Sequence, residues 1–283
     1  MPTLIDLDAL IADASDLAPL SDSAVRLMSL AARDQWSMRE VIDAIGFDQV
    51  LTSRLLRVAN SAAFSRSSTV SDVQQAVVRL GMAQVVALAM GSAVRDRMLR
   101  ALPAYGLSEG ELWRHSVAAA LAAECLPLHC RVAIPVEAYT AALLHDFGKL
   151  LLSRLLTADS LMFLRQAREQ GQQAALAAEV ELVSVHHAEL AALVAQHWNL
   201  PEPIVRGICF HHAPDEGRAS ICDAVHAANA AAHGALAGAD ASASGRPHLQ
   251  ENAARRLGLS AGGFTALCSD VQLRFDEVIA RYA

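Results

Sequence analysis

A histidine and an aspartate side by side at the end of an apolar run can grip a divalent cation. This sequence has such a pair, His145-Asp146, directly after Thr140-Ala141-Ala142-Leu143-Leu144. Imidazole nitrogen and carboxylate oxygen are ordinary ligands for Zn, Mn and Fe. Neighbouring side chains on a helix point about 100° apart. The two groups can therefore hold different ions of a two-metal site, or one can bind while the other orients it. Gly148 frees the backbone just after them. Lys149, three residues beyond Asp146, can reach a phosphate as a point charge. Most of the 11 histidines lie in the second half of the chain. His115 shares a helix face with Glu111, four residues before it. His187 opens another amphipathic pattern, and His211-His212 form a tandem at a predicted helix end before Pro214. Ligands drawn from four separate helices are the pattern of a site built inside a helical bundle.

Each group also has an ordinary structural role open to it. Glu111 is the fourth residue of Ser108-Glu109-Gly110-Glu111, a capping box. His115 can donate a hydrogen bond at a helix interface, and His211 and His212 can complement a helix C-terminus. His186 and His187 can face solvent, and Lys149 can decorate a helix surface.

The elements that must position these residues are helices. Ser37-Met38-Arg39-Glu40 is a capping box whose helix closes at Gly46. Asp48 caps the next, with Leu51, Leu55, Leu56, Val58 and Ala59 at helical spacing. Ser71-Asp72-Val73-Gln74 reads as another box, with its helix stopping at Gly81. A long pattern runs through Trp113, Val117 and Leu121. Pro135 is predicted at a first helical position, with the helix running to Leu144. Further helices are predicted over 158–169, 172–184, 187–198, 202–211, 219–236 and 260–282. No alternating run with hairpin turn chemistry occurs, so the expected fold is all-α. Leu102-Pro103-Ala104-Tyr105-Gly106 interrupts the pattern, which predicts an N-terminal subdomain over 1–105 and a helical core with C-terminal helices over 106–283. Residues 237–247, small, polar and Gly-containing, are expected to form an exposed loop.

Composition narrows the function classes. The 283 residues are 53% hydrophobic and 19% charged, a globular balance. A net charge of -7 argues against nonspecific nucleic-acid binding, which needs clustered cations, although a local patch at Arg95, Arg97 and Arg100 is basic. Five cysteines without a C-x-x-C spacing suggest neither a disulfide framework nor a zinc ribbon. The N-terminus has no signal-peptide pattern. The apolar run Val85–Val94 is too short to span a bilayer. The expected location is the cytoplasm, with no membrane partner.

With these residues in place, the chain resembles the HDOD family, a branch of the HD-domain superfamily found in bacterial signalling proteins. The resemblance rests on Leu17-Ala18-Pro19-Leu20-Ser21-Asp22-Ser23-Ala24, Leu55 to Phe64, Val73 to Val77 and Leu80-Gly81. It continues through Leu112-Trp113-Arg114-His115-Ser116, Ala141 to Leu150, His187 to Ala191, Trp198 to Pro201 and His211-His212-Ala213-Pro214. It implies a helical N-terminal subdomain packed on an HD-like core. It also implies a regulatory module, related to HD-GYP phosphodiesterases that act on cyclic di-GMP. Carried over residue by residue, the metal ligands it implies are His115, His145, Asp146, His187, His211 and His212, with Lys149 as the candidate catalytic cation. The position of the family's last aspartate falls on Asn229; Asp223, six residues earlier, is a weaker substitute. The Gly-Tyr-Pro segment of HD-GYP enzymes is absent. An amide oxygen is neutral and a poorer ligand than carboxylate, so Asn229 lowers the expected affinity for a divalent metal (Fe, Mn, Zn or Mg).

The function that the resemblance implies is a signal-transduction module acting mainly by binding, with signalling proteins as partners and a cyclic dinucleotide as candidate ligand. The alternative is a metal-dependent phosphodiesterase acting on a cyclic dinucleotide or another nucleotide.

Overall fold

The computed structural model describes residues 21–31, 33, 35–46, 48–60, 69–237 and 249–280. The helices of the first half are α1 (Asp22–Ala31), α2 (Met38–Ile45), α3 (Gln49–Ala59), α4 (Val73–Leu80) and α5 (Met82–Met98). Local chemistry sets several of these boundaries. Ser37 and Glu40 close a reciprocal capping box on α2, and Asp48 accepts the Leu51 amide at the start of α3. The cap of α4 is Asp72, not Ser71, because it is the Asp72 carboxylate that accepts from the Gln75 amide. Gly81 (φ 78°) ends α4 and starts α5, a conformation that favours glycine.

The second half contains α6 (Glu111–Cys125), α7 (Ala138–Leu144), α8 (Gly148–Leu155), α9 (Ala158–Glu169), α10 (Gln172–Val183) and α11 (His187–His197). These are followed by α12 (Glu202–Cys209), α13 (Pro214–Gly217), α14 (Ser220–Leu236), α15 (Glu251–Leu257) and α16 (Ala261–Ala280). Among the described residues the only β pairing is the isolated bridge between Leu102 and Leu107, and the fold is all-α. Other boundaries differ from expectation as well: the helix expected over 202–211 ends at Cys209. The helix expected to start at Pro135 starts at Ala138, after a turn in which the Ala138 amide reaches the Pro135 carbonyl. Helix α6 has Gly110 (φ 79°) at its N-cap with no side-chain cap, so Ser108 does not open a capping box; instead Glu111 accepts the Ser108 amide.

Helices α6 and α14 pack along each other at the centre, with α7 and α16 against the same two helices. Alanine makes this approach possible. Ala118, Ala119 and Ala122 on α6, and Ala224, Ala227, Ala228 and Ala231 on α14, are all fully buried, and small side chains let helix axes come close. The first half joins this layer through α5, which packs on α1, α3 and α7. One apolar cluster runs without a break from Leu27, Ile45 and Leu55 through Met90 and Leu144 to Leu267 and Phe275. The interruption at 102–106 is a 3-10 turn, Pro103–Tyr105, that buries Ala104 and Tyr105 and is seated on α9. No single described helix is long and apolar enough to cross a membrane. Residues 17–20 and 61–64 of the quoted motifs, and 238–247 of the expected loop, lie outside the described residues.

Candidate metal centre

Helix α7 stops at Leu144 and the chain turns tightly before α8. The Phe147 amide bonds to the Leu144 carbonyl and the Lys149 amide to that of Asp146. This turn aims His145 and Asp146 into the interior, where they are 0% and 2% exposed. Gly148 is required for the turn to dock. A Cβ there would overlap the His187 carbonyl oxygen and crowd the Ala191 amide, so the first turn of α8 lies directly on the first turn of α11. That contact brings His187, at the start of α11, toward Asp146. His211 and His212 come from the turn between α12 and α13, and Asn229 comes from the middle of α14.

The seven sequence-predicted groups form two sets that share one carboxylate. In the first, Asp146, His187, His211 and His212 offer ligand atoms all within 4.8 Å of one another; in the second, His115, His145 and Asp146 do the same. His187 Nε2 lies 3.3 Å and His211 Nε2 3.9 Å from Asp146 Oδ1. On the other oxygen, His145 Nε2 lies 3.5 Å and His115 Nε2 3.7 Å from Oδ2. Asn229 Oδ1 lies 3.0 Å from His115 Nε2, so the residue at the position of the missing aspartate faces the second set. Lys149 Nζ donates to Asp146 Oδ2 at 2.5 Å. The two weaker candidates lie elsewhere. Glu111 is held by the Ser108 amide, and Asp223 is paired bidentately with Arg256 at 2.6 and 2.8 Å.

A second layer fixes the rings. His145 Nδ1 donates to the Ala142 carbonyl and His211 Nδ1 to the Ile208 carbonyl, both at 2.7 Å. His187 Nδ1 donates to Glu179 at 2.8 Å. For His145 and His211 the donor role of Nδ1 leaves the Nε2 lone pair facing Asp146, the usual way a protein presents a metal-binding histidine. Gln172 Nε2 lies 2.7 Å from His212 Nδ1, and His212 Nε2 lies 2.9 Å from His187 Nε2. Glu179 also accepts the His187 amide (2.7 Å) and the Tyr105 hydroxyl (3.0 Å). Sequence reasoning missed Glu179, Gln172 and Tyr105. A glutamate on an alanine-rich helix carries no mark of burial. The one available signal was the 172–184 helix ending just before His187.

Electrostatics favour the same use. Burial pushes His115, His211 and His212 well below the ordinary imidazole range, and His145 down as well; neighbouring histidines add to this at each. The lowered values favour the neutral form of these rings, the form in which an imidazole can bind a metal. Burial opposes ionisation of Asp146, but Lys149 and the surrounding rings outweigh it, and the carboxyl is held well below its usual range. At His187 burial again lowers the pKa, yet Glu179 and Asp146 on either side win and raise it.

The residues present fit a divalent ion. Asp146 Oδ1 and His211 Nε2 are buried without a hydrogen-bond partner. Such groups are costly unless something satisfies them. Both face the same space, and a cation is the partner common to a carboxylate and an imidazole lone pair. Asp146 belongs to both groups, so it would be a ligand whichever of them held an ion.

Comparisons with known proteins identify the family and the fold. The chain matches the HDOD domain over residues 17–214. It is 27% identical over 218 residues to an uncharacterized protein of Treponema pallidum (strain Nichols), covering 74% of this chain and 41% of that one. Among solved structures, it resembles a candidate signal transduction protein from Marinobacter aquaeolei VT8 (TM-score 0.68, 21% identity, 97% of this chain and 64% of that one). It also resembles an HDOD domain protein with unknown function from Geobacter sulfurreducens (TM-score 0.58, 22% identity, 96% and 93%). A third likeness is to a candidate phosphohydrolase from Shewanella amazonensis SB2B (TM-score 0.61, 24% identity, 93% and 98%). The chain thus spans less than two thirds of the length of the Treponema and Marinobacter proteins, and these structural likenesses speak to the fold.

Proposed function

We propose, from the premise that this chain belongs to the HDOD family, that it is a signal-transduction module that binds a divalent metal in its buried His-Asp pocket and works by binding rather than turnover. The observation that carries this reading is the pair of buried, unpartnered atoms Asp146 Oδ1 and His211 Nε2 facing one another across the pocket. His187, His211 and His212 would hold an ion on the Oδ1 side of Asp146, and His115, His145 and Asn229 one on the Oδ2 side. A bound ion supplies positive charge for phosphate oxygens and makes water more acidic.

Two features favour regulation over hydrolysis. The ligand set is enclosed, with His115, His145, Asp146, His187, His211 and Asn229 all buried. Asn229 brings no charge to the second set, so an ion there is held by one carboxylate, Asp146, whose Oδ2 already serves Lys149. Asp146, His187, His211 and Asn229, by holding a metal, would fix the relative positions of α7, α11, α12 and α14. The surface those helices carry is what a signalling protein or a cyclic dinucleotide would read.

A second reading, a metal-dependent phosphohydrolase, is favoured by Lys149. Its side chain is 17% exposed, and its ammonium pairs with Asp146 Oδ2. In that reading Lys149 would orient a phosphate and offset its charge.

Metal analysis of protein purified without added ions, paired with a cyclic dinucleotide hydrolysis assay, separates the two. The expected result is bound metal, lost in Asp146→Ala, with no turnover. Metal-dependent turnover abolished by His145→Ala and Asp146→Ala would establish the hydrolase instead. Protein that takes up no divalent ion would refute both.

A further inference from the structure

We infer that His226 and Gln250 are positioning residues for the His211-His212 tandem, so that the segment after residue 248 holds one side of the metal pocket in place. The inference rests on the metal-binding reading above. Both residues lie beyond the stretch that matches the HDOD domain, which ends at 214.

His211 and His212 need external support because they sit in a turn. Helix α12 ends at Cys209 and α13 begins at Pro214, so no helix fixes the backbone that carries the two rings. Two hydrogen bonds do this instead. The His211 carbonyl accepts from His226 Nδ1 at 2.7 Å, and the His212 carbonyl accepts from Gln250 Nε2 at 3.0 Å. A third bond ties the clasp together, with the Gln250 amide donating to His226 Nε2 at 3.0 Å. Nδ1 must donate and Nε2 must accept, so His226 is held in one neutral tautomer. His226 is buried at 4% exposure on α14, one turn before Asn229. The same helix therefore presents Asn229 to one half of the pocket and braces the backbone of the other.

The Gln250 end is anchored independently of that clasp. Ala253 and Leu257 of α15 are fully buried. Arg256 pairs with Asp223 and with Asp215, and Asn252 donates to Asp215 at 2.9 Å. Replacing the Gln250 side chain removes its bond to His212 and leaves the segment docked.

The bland account is that these bonds only satisfy buried carbonyls. It predicts no effect on metal affinity, so affinity is the deciding readout. The experiment compares the full chain with Gln250→Met, which has similar length but no donor, and Gln250→Lys, which restores a donor. Each is titrated calorimetrically with Co(II), and amide exchange at residues 210–213 is followed in chelator-treated protein. The inference predicts that Gln250→Met weakens Co(II) binding about 10- to 100-fold and speeds exchange in the turn, while Gln250→Lys stays near the parent in both. Unchanged affinity in Gln250→Met would overturn it, even if exchange in the turn were faster. If the parent takes up no Co(II), the metal-binding reading falls and the inference falls with it; a parent that binds while Gln250→Met binds equally well refutes the inference alone.

Discussion

Replacing Glu179 should damage both the fold and the metal site. Its carboxylate is 2% exposed and accepts three protein donors: the His187 amide, His187 Nδ1 and the Tyr105 hydroxyl. Glu179→Ala leaves all three buried and unpaired, and each such donor costs about 1–3 kcal/mol. The charge balance shifts too. Glu179 is the main group raising the His187 pKa against burial, and breaking a buried pair by removing one partner costs about 3–5 kcal/mol. A loss of about 3–5 kcal/mol is therefore expected from urea unfolding at neutral pH. Glu179→Gln keeps the shape but turns an amide N–H toward one of the donors. It should cost roughly 1–3 kcal/mol and weaken divalent-metal binding about 10- to 100-fold, the usual effect of losing the group behind a ligand histidine. The urea midpoint and a competition titration against a metal-sensitive chelator measure the two effects. If Glu179→Gln left both within error of the parent, Glu179 would not orient His187, and the reasoning that built the site from its second layer would be wrong.

Gly148→Ala places a methyl group against the His187 carbonyl; overpacking against backbone should cost at least about 3 kcal/mol, read by thermal melting. Asn229→Asp adds a carboxylate 3.0 Å from His115 Nε2 and should tighten binding of one ion roughly tenfold in a calorimetric titration; unchanged affinity would place Asn229 outside the site. Chelator-treated protein should lose stability as pH falls below 6.5, because His115, His145, His211 and His212 have lowered pKa values. The unfolded chain binds those protons first, so each histidine contributes a slope of up to about 1.4 kcal/mol per pH unit between 6.5 and its folded pKa, while His187, with its raised pKa, opposes them. Denaturation midpoints at pH 7 and pH 5.5 check the sign. Ser37→Ala removes the capping box of α2 and should cost about 1 kcal/mol in the same assay.

Much of this was legible in the residues, for identifiable reasons. The helices over 158–169, 172–183 and 187–197 have clear breaks at Thr157, Gly171 and His186, and the sequence reading placed them within a residue. Five helices escaped it, the shortest being the single turn Pro214–Gly217. Met82–Met98 is apolar on nearly all sides, so it has no stripe for periodicity to find. Gly148–Leu155 follows Leu144 so closely that its start is hidden by the turn that creates the site. Asp22–Ala31 and Glu251–Leu257 are short and lie beside residues with little pattern. The site followed the same logic. Histidines are rare enough to be noticed, and a family resemblance grouped them, so His115, His145, Asp146, His187, His211, His212 and Asn229 could be named in advance. The groups that orient them are ordinary residues whose importance comes only from tertiary neighbours. Glu179 looks like any surface glutamate until α10 is packed against α11, and Gln250 gains meaning only when its segment returns to the His211-His212 turn. The Leu102–Gly106 interruption was legible as a break, but not as the turn that delivers Tyr105 to Glu179.

The central claim is that the buried pocket around Asp146 holds a divalent cation, and its most direct test is anomalous scattering from crystals of the full chain grown with Mn(II) or Zn(II). The account predicts a peak within coordination distance of Asp146 Oδ1 and the Nε2 atoms of His187 and His211, and its loss in Asp146→Ala. An ordered pocket with no anomalous peak, or a peak confined to surface residues, would contradict it.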